Sequence, residues 1–383
     1  MGSRVAIVGV GWTGFRPVSP EASYKELMYE AAARAYADAG IDPRRDVDSF
    51  VTVAEDFHEG TSIFDEYVPD QLGAAQRPVH TITGDGLHGL AAAVMQILTS
   101  RFRVVVVEGH SKASNILTLP EITAYALDPV LNQPLRAHPV ALAGLEASRY
   151  LHESRTTREQ CAVVVVKNRR NALRNPSAAY GADVTADDVL AADFVATPLG
   201  RLEISDHADG AIVMVLADES TARRLSAHPI WVRGVGWATD SPTLESRTWG
   251  RAVYAERAAA MAYRTAGIPD PREAIQFAEV DDTYAFKELQ HLEALGLCGY
   301  GEAGRLTADG ETGGGGRLPV NVSGGSLGSG YLLDANGLAR ALEVVLQLRG
   351  QAGDRQLRGV STGLAQSWRG VPTTSGAVAV MSS

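Results

Sequence analysis

The feature that most limits what this chain can fold into is an internal repeat. Gly9-Val10-Gly11-Trp12 returns as Gly234-Val235-Gly236-Trp237, and Ala35-Tyr36-Ala37-Asp38-Ala39-Gly40-Ile41 returns as Ala262-Tyr263-Arg264-Thr265-Ala266-Gly267-Ile268. The copies lie about 225 residues apart. Each reads as a strand, a loop, an amphipathic helix stopped by glycine, and a second strand: Val47 to Val51 in one copy, Phe277 to Val280 in the other. Farther on, Asp85-Gly86-Leu87 opens an apolar helix that precedes the strand-like run Val104 to Val107, and Asn336-Gly337-Leu338 opens a matching helix. Two matched blocks in the same order predict a duplicated α/β unit, with mostly parallel or mixed sheets covered by helices.

A chain of 383 residues is long for one core and suits two. The expected halves are residues 1–222 and 223–383. Residues from about 115 to 206 lack the repeat; they carry a helical stretch, Glu159 to Asn171, and a turn signal, Asn175-Pro176, and read as an insertion covering one face. Asp209 to Val215 then returns as a buried strand. Gly313 to Gly316 reads as a flexible loop. In Ser323 to Gly330 a second glycine-rich turn leads toward a helix, a local geometry that presents backbone N–H groups to a ligand, and it delivers a lone aromatic residue, Tyr331.

The formal charge of −10 and the absence of long basic runs argue against a nucleic-acid surface. No apolar run approaches membrane-spanning length and the N-terminus has no signal-peptide pattern, so a soluble, cytoplasmic protein is expected. The two cysteines, Cys161 and Cys298, provide neither a disulfide framework nor a metal-ligand cluster, and no metal site is expected.

Several stretches together resemble the sterol-carrier-protein-x branch of the thiolases. They are Lys287-Glu288-Leu289, Leu292 to Cys298, Gly301-Glu302, Asn321-x-Ser323-Gly324-Gly325, Gly337-Leu338-Ala339 and Leu346 to Gly353, with Lys167-Asn168, Asn175-Pro176 and Asp209-Gly210-Ala211. The likeness spans essentially the whole chain. It implies a thiolase fold, α/β, with duplicated halves in five layers, α-β-α-β-α, and an inserted loop domain. It also implies a homodimer joined across an edge strand of the first half.

The positions that line a thiolase pocket are altered. Where the family carries its nucleophile in Cys-Ala-Ser-Gly-Leu, this chain reads Thr83-Gly84-Asp85-Gly86-Leu87, and a threonine hydroxyl is far less acidic than a thiol. Gly-His-Pro is replaced by Gly330-Tyr331-Leu332. The motif written Asn-Glu-Ala-Phe or His-Asp-Cys-Phe becomes Asp281-Asp282-Thr283-Tyr284. The C-terminal cysteine or glycine-rich turn becomes Gln366 to Pro372. Cys161 and Cys298 are expected in the core, so acyl transfer through an enzyme thioester is not expected.

A thiolase scaffold without its nucleophile retains a binding tunnel for a CoA thioester and a site for an enolate. Retro-aldol cleavage of a β-hydroxyacyl-CoA needs those two assets plus proton transfer, which tyrosine can perform. The pattern resembles the cysteine-less, thiolase-like aldolases of steroid side-chain degradation, which work with a zinc-ribbon/OB-fold accessory subunit, here implying a heterotetramer. On that resemblance Tyr331 is the expected base and Tyr284 its partner acid. Asp281 either orients water or a tyrosine hydroxyl, or caps the helix ahead of Tyr284. Thr83, Asp85, Gly325 and Gly330 are expected around the pocket or its oxyanion site. His88, His110 and His207 are weaker candidates, read as structural or surface residues. Phe57, Phe64 and Tyr67 are expected to line or lid the pocket. No cofactor is expected beyond the CoA of the substrate. The alternatives are an atypical condensing or acyl-transfer enzyme of secondary metabolism, or a non-catalytic subunit of a complex.

Overall fold

The repeated Gly-x-Gly-Trp strands have a common physical cause. A Cβ on Gly11 would fall 2.1 Å from the carbonyl oxygen of Ala31, and one on Gly236 would fall 2.1 Å from that of Ala258. In both halves a helix backbone rests directly on the strand, and only glycine opposite an alanine-rich helix leaves room for it. Those helices are Tyr24–Ala39 and Val253–Ala266, each ending at a left-handed glycine, Gly40 and Gly267.

The computed structural model describes residues 4–60, 63–241 and 243–383. Its strands are β1 (Val5–Trp12), β2 (Ser49–Val53), β3 (Val79–Ile82), β4 (Val104–Ser111), β5 (Phe194–Ala196), β6 (Leu199–Gly200), β7 (Gly210–Asp218), β8 (Ile230–Thr239), β9 (Phe277–Glu279), β10 (Thr362–Trp368) and β11 (Ser375–Ser382). Among the described residues, nine of them join in the order β3-β2-β4-β7-β1-β8-β11-β10-β9, while β5 and β6 form a small separate hairpin. The sheet is mixed: β2 runs parallel to β3 and β4, β9 is parallel to β10, and the remaining pairs are antiparallel. The two groups of strands meet only through a short pairing of β1 with β8, Val5–Ile7 against Ile230–Val232.

Side chains alternate across this sheet as strand geometry requires. Val5, Ile7, Val105 and Val107 face a central core; Ala6, Val8, Val104 and Val106 pack beneath the Tyr24–Ala39 helix. The central core holds the Gly86–Leu98 and Asn336–Arg349 helices between the two groups of strands, and the Val253–Ala266 helix covers the far side. This is the α-β-α-β-α order. The inserted segment crosses to the other half: its helices Pro139–Ser154 and Arg158–Ala172 share a core with Val253–Ala266 and Ala285–Ala294. Among the described residues, no helix is long and apolar enough to cross a membrane.

The glycine-rich stretch differs in detail from the expected turn. Gly325–Ser329 is itself a short helix that ends at Gly330, and the long helix begins later, at Asn336.

Candidate active site

One short segment, residues 204–208, places both tyrosines. Its Ser205 amide donates to the Thr283 carbonyl (2.9 Å), and Ile204 bridges Tyr284. Two residues on, the Tyr331 amide donates to the Asp206 carbonyl (2.8 Å) and the Ala208 amide donates to the Tyr331 carbonyl (3.0 Å). Backbone pairing thus brings two side chains from distant parts of the chain to the same wall. Both line a cavity of about 420 Å³, together with His58, His207, Arg369 and Gly370. The inserted segment closes the cavity with an apolar wall that includes Ile116, Leu117, Leu119 and Val140.

The Tyr331 hydroxyl points toward Gly370, where a Cβ would come within 2.8 Å of it. His207 stands edge-on to the Tyr331 ring, with centroids 5.5 Å apart. Tyr284 packs against Phe286 and Trp368. Burial, followed by the nearby carboxylates of Asp281, Asp85 and Asp334, pushes the Tyr331 phenol well above its ordinary value. Burial, then Asp281 and Glu146, pushes Tyr284 up as well. In the resting site both residues are proton donors, because low dielectric and adjacent negative charge each disfavour a phenolate.

None of the other expected site residues lines this cavity. Asp281 is fully buried; its carboxylate accepts from the Thr283 amide (3.1 Å), the Thr283 hydroxyl (3.2 Å) and Asn336 Nδ2 (2.9 Å). These bonds hold the turn that delivers Tyr284, but Asp281 does not cap the helix that follows, whose N-cap position is Tyr284. Asp85 is also buried and caps the Gly86–Leu98 helix through the Leu87 amide (3.0 Å), while its second oxygen accepts the Gly337 amide (2.8 Å). Thr83 is exposed and does not border the cavity.

The oxyanion expectation for Gly325 and Gly330 is not met. The Gly325 amide donates to Ser323 Oγ (3.1 Å), and the Gly330 amide donates to the Ser326 carbonyl (2.9 Å). The next two amides, Ser326 and Leu327, are taken by the Asp282 carboxylate. An N–H group already bonded within the protein cannot receive developing charge without losing that bond.

The histidines divide. His88 Nδ1 faces the Asp85 amide at 3.3 Å, and burial holds the ring down to about 4. His110 sits 3.0 Å from Glu108 and 3.0 Å from Glu59, which overcome the effect of burial and hold it well above its ordinary value. His207 borders the cavity, and burial pushes its ring down to about 4. Phe64 is a core residue stacked on His110, and Tyr67 is exposed; neither lines the cavity. Phe57 instead packs edge-on against His58, centroids 4.5 Å apart.

Sequence reasoning missed His58, Asp334 and Glu55, and it placed Arg369 only within the altered stretch Gln366 to Pro372. His58 Nδ1 lies 3.0 Å from Asp334 Oδ1, the Glu55 amide donates to Asp334 Oδ2 (2.8 Å), and Arg369 is paired with Glu55. For the others, the available signal was Asp334 itself, a charged residue within an otherwise apolar run three positions after Tyr331. Both cysteines are buried, away from the cavity, and burial pushes their thiols up, Cys298 to about 12.

Residues 236–383 match the family model described as thiolase C-terminal domain-like. The chain is 31% identical to an acetyl-CoA acetyltransferase of Methanothermobacter thermautotrophicus, over 97% of each protein. It is 29% identical to the 17-hydroxy-3-oxo-4-pregnene-20-carboxyl-CoA lyase of Mycobacterium tuberculosis, over 98% of each. A solved structure described as the Ltp2-ChsH2(DUF35) aldolase superposes with a TM-score of 0.86 at 28% identity, covering 99% of this chain and 98% of that one. Fold, family model and full-length relatives agree: the chain belongs to the thiolase superfamily, in its thiolase-like branch.

Proposed function

We propose that this thiolase-fold enzyme is a carbon–carbon lyase that cleaves a β-hydroxyacyl-CoA by retro-aldol chemistry, without a cysteine nucleophile. The observation that carries this reading is the convergence of Tyr331 and Tyr284 on one cavity that neither cysteine reaches. In the reaction the β-hydroxyl loses its proton and its O–H pair becomes the ketone C=O. The Cα–Cβ pair becomes the enolate of the thioester, and a proton delivered to Cα completes the shortened acyl-CoA. Tyr331 handles the proton at the β-oxygen and Tyr284 the proton at carbon. The Arg369 guanidinium, at the cavity wall, is suited to stabilise the enolate oxygen. No cofactor is required beyond the CoA that the substrate carries.

The names of the lyase and the aldolase among the relatives support this class, and a steroid side-chain CoA thioester is the first substrate to test. The paired name Ltp2-ChsH2(DUF35) supports an accessory subunit, for which a zinc-ribbon/OB-fold protein is the candidate to test. Homodimer formation through β3 is supported by that strand's place at the end of the sheet with its side chains half-exposed. A cytoplasmic location fits CoA chemistry. Acyl transfer is the second reading, favoured by the 31% identity to the acetyltransferase. Incubation with a β-hydroxyacyl-CoA, alone and with the accessory subunit, decides between them. Ketone release supports the lyase, whereas thiolysis of a β-ketoacyl-CoA without ketone release would replace it with acyl transfer.

A further inference from the structure

We propose that His58, held by Asp334, is the proton acceptor behind Tyr331, and so a further acid–base residue of the cavity; this rests on the lyase reading. The two residues lie 276 positions apart in the chain, yet His58 Nδ1 meets Asp334 Oδ1 at 3.0 Å. The carboxylate is fixed from its other side by the Glu55 amide at 2.8 Å. Asp334 lies three residues after Tyr331, so one segment carries both the tyrosine and the histidine's partner. The turn bearing His58, Asp56–Glu59, is itself anchored, since Glu59 reaches the buried His110. With Nδ1 directed to the carboxylate, the same ring borders the cavity that Tyr331 lines.

The chemistry calls for such a group. Both phenols are held protonated, so neither starts as a base. His207 is a weak alternative: burial pushes it down to about 4, and among the described residues no carboxylate hydrogen-bonds its ring. His138 caps the Pro139–Ser154 helix through the Val140 amide (3.2 Å). His58 differs from both. Burial opposes its charge, but Asp334, Glu55 and Glu59 outweigh burial and hold it above its ordinary value. Arg369, paired with Glu55, and His207 and His138 are further charged or titratable groups lining the cavity beside Tyr331, and Asp56 lies on the same turn as His58.

The proton path balances. Tyr331 takes the β-hydroxyl proton as its own passes across the shared cavity, through solvent, to His58 Nε2, so Tyr331 stays neutral and the imidazolium forms against Asp334. Carbon–carbon cleavage leaves the enolate, and Tyr284 protonates Cα. The imidazolium proton then returns to Tyr284 through solvent, and the site is restored. One proton leaves oxygen and one arrives at carbon.

The test compares the pH profile of ketone release by wild type, His58→Gln and Asp334→Asn, with the accessory subunit present. The expected wild-type profile rises with pH through the His58 titration. His58→Gln is expected to lose about 10²- to 10⁴-fold in kcat with little change in KM, and to lose that acidic limb. Asp334→Asn removes the negative charge that favours the imidazolium, so its limb moves to lower pH, with a loss of about tenfold. Added imidazole is expected to restore part of the activity of His58→Ala, a rescue that a merely structural role would not give. An active wild type whose His58→Gln variant keeps full rate and an unshifted limb overturns the proposal alone. A wild type that releases no ketone overturns the lyase reading and the proposal with it.

Discussion

The Asp85 carboxylate accepts a hydrogen bond from the Gly337 amide at 2.8 Å, joining the start of one half's central helix to the start of the other's. The contact is reciprocal at the backbone. A Cβ on Gly86 would lie 2.5 Å from the Leu338 amide nitrogen, and one on Gly337 would lie 2.7 Å from the Leu87 amide nitrogen and 1.9 Å from Asp85 Oδ1. The repeat-related glycines therefore let two helix N-termini touch.

Gly86→Ala and Gly337→Ala should each destabilise the fold by about 1–3 kcal/mol, because backbone on both sides has to move to admit a methyl group. Urea unfolding measures this. A loss below about 0.5 kcal/mol in both variants would mean that the central layer is not packed as described.

Asp85 carries a pH signature. Burial raises its carboxyl to about 7, against three hydrogen bonds that lower it. A carboxyl with a raised folded value binds its proton more tightly in the native state. Its contribution to stability is therefore greatest below about pH 4 and declines as pH rises toward 7. Asp85→Asn cannot ionise, so the stability of wild type relative to this variant should fall across that interval. A difference independent of pH would show that the Asp85 carboxyl binds its proton equally in the folded and unfolded states.

Tyr331→Phe removes the hydroxyl but keeps both backbone hydrogen bonds that hold residue 331 in place. Ketone release should drop by about 10²-fold or more, with a melting temperature near that of wild type. Gly370→Ala attacks the same oxygen from outside. Gly370 has φ of +90°, and a Cβ there would reach to 2.8 Å from the Tyr331 hydroxyl. It should lower kcat even though no chemical group is lost. Retention of full activity by both variants would remove Tyr331 from the reaction.

Iodoacetamide offers a separate check. Cys161 and Cys298 are buried with raised thiols, so native protein should alkylate slowly and the Cys161→Ala/Cys298→Ala double variant should keep its ketone-releasing activity. Rapid inactivation by the reagent that the double variant escapes would point to a thiol mechanism.

What could be read from the sequence was local or repeated. Glycine stops, capping residues and the paired strand–helix blocks act within a turn or two, so their spacing is written into the chain; hence the duplicated α/β halves were legible. Tyr331 and Tyr284 could be singled out because each interrupts a motif. The remainder of the site depended on contacts that spacing does not encode. Only folding shows that residues 204–208 pair with both tyrosine segments, that the amides of Gly325 and Gly330 are already bonded, and that Asp281 ties the turn before Tyr284 instead of capping its helix. Only folding brings His58 to Asp334 and Arg369 to Glu55. Hydrogen bonds and charge pairs form over about 3 Å between side chains hundreds of residues apart, so the sequence determined the scaffold and the tertiary structure decided which groups face the cavity.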